Sequence, residues 1–246
     1  NTLRTDPETL YQDLVKELGE GNVGRGHVCA EALTCKKSGD ISHWEAFRRG
    51  HVIVQDESSM LTVYALDPQP GERVLDLCAA PGGKSTHMVQ RMQNQGLVES
   101  RDLYDHKLGQ IRENANRLGC TILETKRSDA SRAYAEDREA WDRVLLDAPC
   151  SGLGIIRNKP DLKLHRKPED VESLAALQRE MLQAAAQCVR PGGVLVYSTC
   201  TLSPRENEDN VAWFLDQHPE FVPERLEGIL PAGFPPSQIH PSYTYV

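Results

Sequence analysis

No apolar run in the 246 residues is long enough to cross a bilayer, and no secretory signal pattern opens the chain. No Cys-x-x-Cys or His-x-x-x-His pair occurs, which argues against structural zinc, and no metal is expected. The seven cysteines are odd in number and scattered, which argues against a disulfide framework and for a reducing compartment, the cytoplasm. A basic excess is missing too: the net charge of −8 does not advertise nucleic-acid binding, although clustered basic residues can act against an acidic total. There is no internal repeat and no low-complexity segment. Neither Gly-x-Gly-x-x-Gly nor a Walker loop is present, so simple dinucleotide and ATP sites lose weight. What remains is an ordinary globular composition, 39% hydrophobic and 26% charged. It suits one large α/β domain, or one domain with a small appendage. Because the chain opens on Asn1 rather than Met, a preceding natural segment is an expectation.

The most informative stretch is Arg73 to Lys84, Arg-Val-Leu-Asp-Leu-Cys-Ala-Ala-Pro-Gly-Gly-Lys. The apolar run 74–77 predicts a buried strand, the Pro-Gly-Gly a tight turn, and the spacing of Met88, Val89 and Met92 a helix over 85–93. Strand, glycine turn and helix place backbone N–H groups at a helix start beside the carboxyl end of a sheet. Without a Cβ at Gly82 or Gly83, a nucleotide-like ligand can lie against the backbone. A plain βα connection is the alternative.

Upstream, Thr5 and Glu8 have capping-box spacing around Pro7, predicting a helix to Leu18 stopped by Gly19. Ser42 and Glu45 repeat the spacing before a short helix ended by Gly50; 52–54 reads as a strand and 57–66 as a helix. Residues 1–50 lack regular alternation and are expected to form a small accessory, RNA-binding region ahead of a catalytic domain at 51–246. Beyond Val74, strands at 74–77, 97–101, 121–124, 143–147 and 194–199 alternate with helices at 85–93, 105–118 and 169–189, the last stopped by Pro191-Gly192-Gly193. Ser203-Pro204-Arg205-Glu206 reads as a further capping box, opening a helix through Leu215. This is α/β alternation: a Rossmann-like, doubly wound, mostly parallel sheet.

Functional residues of such sheets gather at the carboxyl ends of strands. Asp102 stands where an acid accepts hydrogen bonds from ribose hydroxyls, or where it caps a helix. Asp129 could receive the exocyclic amine of a base. The fourth strand runs into Asp147-Ala148-Pro149-Cys150-Ser151 and the fifth into Ser198-Thr199-Cys200-Thr201. One cysteine is usually a small buried hydrophobe, but a pair at neighbouring strand ends points to nucleophilic chemistry. Cys29, Cys35, Cys120 and Cys188 lack this context, and Cys78 is expected to contribute only its backbone. Residues 157–167 hold five Lys or Arg and one acid; bordering the cleft, they could hold a phosphate backbone, or be a solvated face.

Together these residues resemble the S-adenosylmethionine-dependent RNA cytosine-5 methyltransferases of the Sun/Nop2/NSUN group. The resemblance spans residues 33–218. Leu-Asp-Leu-Cys-Ala-Ala-Pro-Gly-Gly-Lys (75–84) is similar to the family's cofactor loop, and the Cys150 and Cys200 stretches to its fourth and sixth motifs. Ser-Gly-Asp-Ile-Ser (38–42) and Val-Gln-Asp-Glu-Ser-Ser-Met (54–60) look most like the bacterial 16S rRNA methyltransferase B branch.

The resemblance implies a class I methyltransferase fold and methylation of cytidine carbon 5 in RNA, most expected in 16S rRNA. Cys200 would add to carbon 6, and Cys150 would assist loss of the carbon 5 proton. Asp147 would hydrogen-bond N3 or the amine, and Lys84 would support the cleft. Cys78, Ala79, Ala80, Pro81, Gly82, Gly83 and Lys84, with Asp102, Asp129 and Asp147, would hold the cofactor, while Arg157, Lys159 and Lys163 would contact RNA. Two stretches depart from the pattern: the chain begins inside the catalytic half, and Ser-Tyr-Thr-Tyr-Val stands where a closing Asp-Gly-Phe-Phe strand is expected. The rivals are the same chemistry on tRNA or another rRNA site, a DNA-type enzyme using Cys150, and an RNA-binding assembly factor without catalysis. Protein methylation is more distant, since no Asn-Pro-Pro-Tyr-like motif occurs.

Overall fold

Val74 and Leu75 are adjacent in the chain and both fully buried, yet they belong to different apolar clusters. Successive side chains of a strand point to opposite faces, so this pair marks a sheet covered on both sides. The computed structural model describes residues 1–36, 39–156, 167–226 and 228–231. Its central sheet comprises β3 (Arg73–Asp76), β4 (Leu97–Asp102), β5 (Leu123–Arg127), β6 (Trp141–Asp147) and β7 (Val189–Ser198). The spatial order is β5-β4-β3-β6-β7, with every pairing parallel. The expected Rossmann-like doubly wound sheet is thus present.

One face packs Leu75, Leu77, Val144 and Leu146 against Met181, Leu182 and Ala185 of α6 (Pro168–Cys188) and Phe214 of α7 (Glu208–Gln217). The other packs Val74, Val98 and Leu145 against α3 (Glu57–Leu66), α4 (Gly83–Arg91) and α5 (Asp105–Leu118). The chain enters at β3, runs outward to β5, then crosses back to β6. The strand order therefore reverses beside β3, and a crevice opens at the carboxyl ends there.

Ahead of the sheet, α1 (Pro7–Leu18), an antiparallel hairpin of β1 (Val23–Arg25) and β2 (Leu33–Cys35), and α2 (Glu45–Arg48) surround their own cluster of Leu10, Leu14, Val23, Trp44 and Ala46. The hairpin loop is tied to α3: the Glu57 carboxylate accepts the backbone N–H groups of His27, Val28 and Cys29 at 2.9–3.0 Å.

Several local expectations are corrected. Asp6, not Thr5, caps α1: the helix starts at Pro7, so Asp6 holds the extended N-cap position and its Oδ1 takes the N–H groups of Glu8 and Thr9. Ser42 caps nothing; its N–H goes to Asp40, and the Glu45 N–H goes to Glu17. Residues 52–54 form no strand: the Val52 carbonyl accepts from the Arg117 guanidinium, which also takes the Phe47 carbonyl. Pro191-Gly192-Gly193 does not follow a helix into a loop. It lies inside β7, which begins at Val189, as an irregularity in the pairing with β6.

Candidate active site

The site begins at Asp147 and Ser198, paired residues at the ends of β6 and β7. Ser198 Oγ donates to one Asp147 oxygen at 2.7 Å, and Lys84 Nζ donates to the other at 2.6 Å. Lys84 belongs to the first turn of α4, so its ammonium reaches β6 only because the glycine turn brings that helix over the sheet end. At the turn, Gly82 has φ 101°, and a Cβ there would come within 3.3 Å of Ile111. The first N–H groups of α4 emerge beside it without intrahelical partners, a general property of helix starts.

Beyond the strand ends, two loops run together. The Ala148 N–H donates to the Ser198 carbonyl and the Gly154 N–H to the Cys200 carbonyl. Gly154 is needed for this approach, since a Cβ would lie 2.9 Å from that carbonyl oxygen. Between these bonds, the sulfurs of Cys150 and Cys200 stand 3.1 Å apart, and the Cys200 N–H reaches Cys150 Sγ at 3.2 Å. The sulfurs are in hydrogen-bond contact and unbonded, and Cys200 is the exposed member. Cys150, donating to its neighbour, draws the Cys200 thiol down to about 7; burial and Asp147 oppose this, while Lys84 assists. The same contact, with burial, pushes the Cys150 thiol up.

The loops rest on a residue that the sequence marked only as a capping-box acid. Glu206 is fully buried and accepts the Ser151 N–H at 2.8 Å and Gln178 Nε2 at 3.0 Å on one oxygen, and the Ser151 hydroxyl on the other. Ser151 Oγ also meets Thr201 Oγ1 at 2.8 Å. The residues following the two cysteines are thereby joined hydroxyl to hydroxyl, with the Glu206 carboxylate holding Ser151 in place. Ser203 therefore opens no capping box with Glu206; Pro204–Glu206 is a single 3-10 turn, and α7 starts only at Glu208.

On the other side of Lys84 lies the expected cofactor loop. Ala79 donates to the Arg101 carbonyl and Gly82 to the Ala79 carbonyl, fixing residues 78–82 against the end of β4. Burial and the surrounding carboxylates of Asp76, Asp147 and Asp102 push the Cys78 thiol up, which suits a backbone role. Asp102 is buried at the end of β4 and accepts the Tyr104 N–H. Its neighbour Arg101 is buried too, and both its terminal nitrogens bond Asp137 at 2.6 Å. Asp129 folds back on Ser131, whose hydroxyl and N–H hold its carboxyl below the usual range.

Asp76, a residue without an assigned role, ends β3 beneath Lys84. Burial raises its carboxyl to about 7 against the pull of the Ser85 hydroxyl and the Cys78 backbone N–H. Its signal in sequence was a lone acid inside an apolar strand. A groove of about 1370 Å³ runs along β7 and reaches Lys84, Asp147 and Cys200. It does not extend to Asp102 or Asp129. Arg157, Lys159 and Lys163 lie outside the described residues. Cys200, Cys150, Asp147 and Lys84 are therefore brought together, whereas Asp102 at the end of β4 and Asp129 just beyond β5 stand outside that groove.

A family model described as 16S rRNA methyltransferase RsmB/F matches residues 63–232. The chain belongs to this family. It is similar to the probable ribosomal RNA small subunit methyltransferase B of Bacillus subtilis strain 168, 45% identical over 94% of this chain and 52% of the relative. Among solved structures, the protein designated PH0851 superposes with a TM-score of 0.90 at 35% identity, over 98% of this chain and 53% of that one. NSun6 from Pyrococcus horikoshii, solved with SFG, gives 0.70 at 36% identity over 80% and 48%. The chain thus spans about half the length of the curated relatives it matches. No described helix is long and apolar enough to cross a membrane, and no described cluster of His, Cys, Asp or Glu could hold a metal ion.

Proposed function

We propose that this chain carries the catalytic domain of an S-adenosylmethionine-dependent methyltransferase acting on carbon 5 of a cytidine in small-subunit rRNA. The observation that carries the proposal is the cysteine pair, with one thiol drawn down to about 7 beside Lys84 and Asp147. Support for the substrate comes from the B. subtilis relative's name, and for the cofactor from SFG, an S-adenosylmethionine analogue, in NSun6. The residues fit that cofactor: the α4 start offers N–H groups, Gly82 and Gly83 leave its approach free of Cβ atoms, and Asp102 offers a carboxylate for ribose hydroxyls. Asp129 would take the adenine amine on release from Ser131. S-adenosylmethionine supplies the electrophilic methyl group.

The remaining chemistry belongs to the chain. Carbon 5 of neutral cytosine is a weak nucleophile. Cys200 as thiolate adds to carbon 6 and turns carbon 5 into an enamine-like centre able to take the methyl. Asp147, held by Lys84 and Ser198, hydrogen-bonds the base at N3 or the amine and supports the charge that develops in the ring. Cys150 then assists removal of the carbon 5 proton, and the electrons left behind expel Cys200 as thiolate. The base must leave any stack to reach the sulfur. A DNA-type assignment with Cys150 as nucleophile is disfavoured, because its thiol is pushed up while that of Cys200 is drawn down. In this reading residues 1–50 are the accessory RNA-facing unit, supported by their separate apolar cluster, and 51–246 the catalytic domain.

The test is incubation with methyl-labelled S-adenosylmethionine and total unmodified RNA, followed by size fractionation and nucleoside analysis. Label in 5-methylcytidine of small-subunit rRNA is expected. Label confined to tRNA would keep the chemistry and replace the substrate, whereas cofactor binding without transfer would favour an RNA-binding assembly factor.

A further inference from the structure

All seven cysteines lie among the described residues, and five share one condition. Cys29, Cys120 and Cys188 are buried, Cys35 and Cys78 half-buried, and burial pushes each thiol up. Thiols in that state are poor nucleophiles and slow to oxidise. Cys150 and Cys200 are placed differently. Their sulfurs are 3.1 Å apart across a separation of 50 residues, and Cys200 is open to solvent. The loops bearing them are stitched by the Gly154-to-Cys200 backbone bond on one side and, on the other, by Ser151, which bonds both Glu206 and Thr201.

We infer that Cys150 and Cys200 are a peroxide-sensitive pair that closes to a reversible disulfide and switches the site off. Closure to about 2.05 Å asks the sulfurs to approach by about 1 Å, within reach of small side-chain rotations in loops already in contact. Cys200 is the attacking thiol, being both exposed and drawn toward the thiolate near neutral pH. Its sulfur attacks one oxygen of a hydroperoxide: an S–O bond forms, the O–O bond breaks, and the departing oxygen takes a proton as alcohol or water. Cys200 is then a sulfenic acid. The Cys150 sulfur attacks Cys200 Sγ, the S–S bond forms, the S–O bond breaks, and hydroxide leaves with the Cys150 proton as water. Two thiols lose two electrons and the hydroperoxide gains them. A dithiol reverses the bond by exchange. The consequence for activity rests on the methyltransferase reading, in which both sulfurs are needed free.

The experiment treats the reduced chain with hydrogen peroxide, blocks residual thiols with iodoacetamide, and maps peptides by mass spectrometry. The expected result is a Cys150–Cys200 cross-linked peptide, lighter by the two thiol hydrogens and abolished by dithiothreitol. Cys150→Ser should instead leave a sulfenic acid at Cys200, captured by dimedone. Oxidation of Cys200 to the sulfinic acid while Cys150 remains alkylatable would overturn the proposal, as would bridges to the other five cysteines. Covalent capture of RNA carrying 5-fluorocytidine, whose methylated adduct cannot resolve, is measured on the same samples with S-adenosylmethionine. Loss on oxidation and return with dithiothreitol supports the switch. A disulfide formed in a chain that captures no RNA even when reduced would remove the methyltransferase reading and leave the pair standing. Capture that persists after peroxide, with no disulfide, would do the reverse.

Discussion

Glu206 joins two loops that the chain separates by 50 residues: it accepts the Ser151 N–H at 2.8 Å, and through the Ser151 hydroxyl it reaches Thr201. One buried carboxylate therefore sets the spacing of Cys150 from Cys200. Glu206→Ala leaves the Ser151 and Gln178 donors without their acceptor, at a cost of about 2–3 kcal/mol in stability. Methyl transfer should fall further than cofactor affinity, because the damage lies at the cysteines and not at the α4 turn. Urea unfolding and isothermal titration with S-adenosylmethionine measure the two effects separately.

Lys84 and Asp147 pull the Cys200 thiol in opposite directions. Lys84→Met removes the favourable charge and leaves the carboxylate, so the thiol should titrate above 7. Asp147→Asn should move it below. The pH dependence of iodoacetamide labelling at Cys200 reads both shifts, and equal profiles for the two variants would contradict the assignment.

The two cysteines should fail in opposite ways. Cys200→Ser should abolish covalent capture of RNA, while Cys150→Ser should allow the adduct to form and accumulate, because release is impaired. Denaturing gels after incubation with RNA and cofactor distinguish them.

Glu31 fastens the region after β1 to the sheet domain, accepting from Tyr64 Oη at 2.6 Å and lying 2.9 Å from His87 Nε2. Burial acts against its charge, but the hydrogen bonds to His87 and Tyr64 win and hold it down at about 2. A depressed folded-state value means the native state binds fewer protons than the unfolded one. The stabilisation is then complete above the ordinary 4.5 and disappears as pH falls toward 2. Glu31→Gln should cost up to about 3 kcal/mol at pH 7 and little near pH 2, read from thermal unfolding across that range.

The middle of the sheet was legible because β3 and β6 carry apolar residues on both faces. Val74, Leu75 and Val144 to Leu146 are fully buried, as a parallel sheet covered on both faces requires. The strand-end residues Asp147, Cys150 and Cys200 were legible for a related reason, since parallel strands gather their carboxyl ends on one edge. What escaped depends on long-range partners. Residues 52–54 look like a strand until Arg117 takes the Val52 carbonyl, and Glu206 looks like a capping-box acid until it is buried under Ser151. Neither partner lies within one turn or one hairpin, so no local pattern announces it. Asp76 was hidden differently: its raised carboxyl comes from burial first, which spacing alone does not reveal.

The most direct measurement is to trap the adduct and locate it. RNA carrying 5-fluorocytidine lacks the carbon 5 proton that must leave, so a methylated adduct on it cannot resolve. Incubated with this RNA and S-adenosylmethionine, the chain should become covalently linked, and peptide mapping should place the nucleotide on Cys200 Sγ. A nucleotide on Cys150, or methylated RNA released with no adduct at either cysteine, would contradict the assignment of Cys200 as nucleophile.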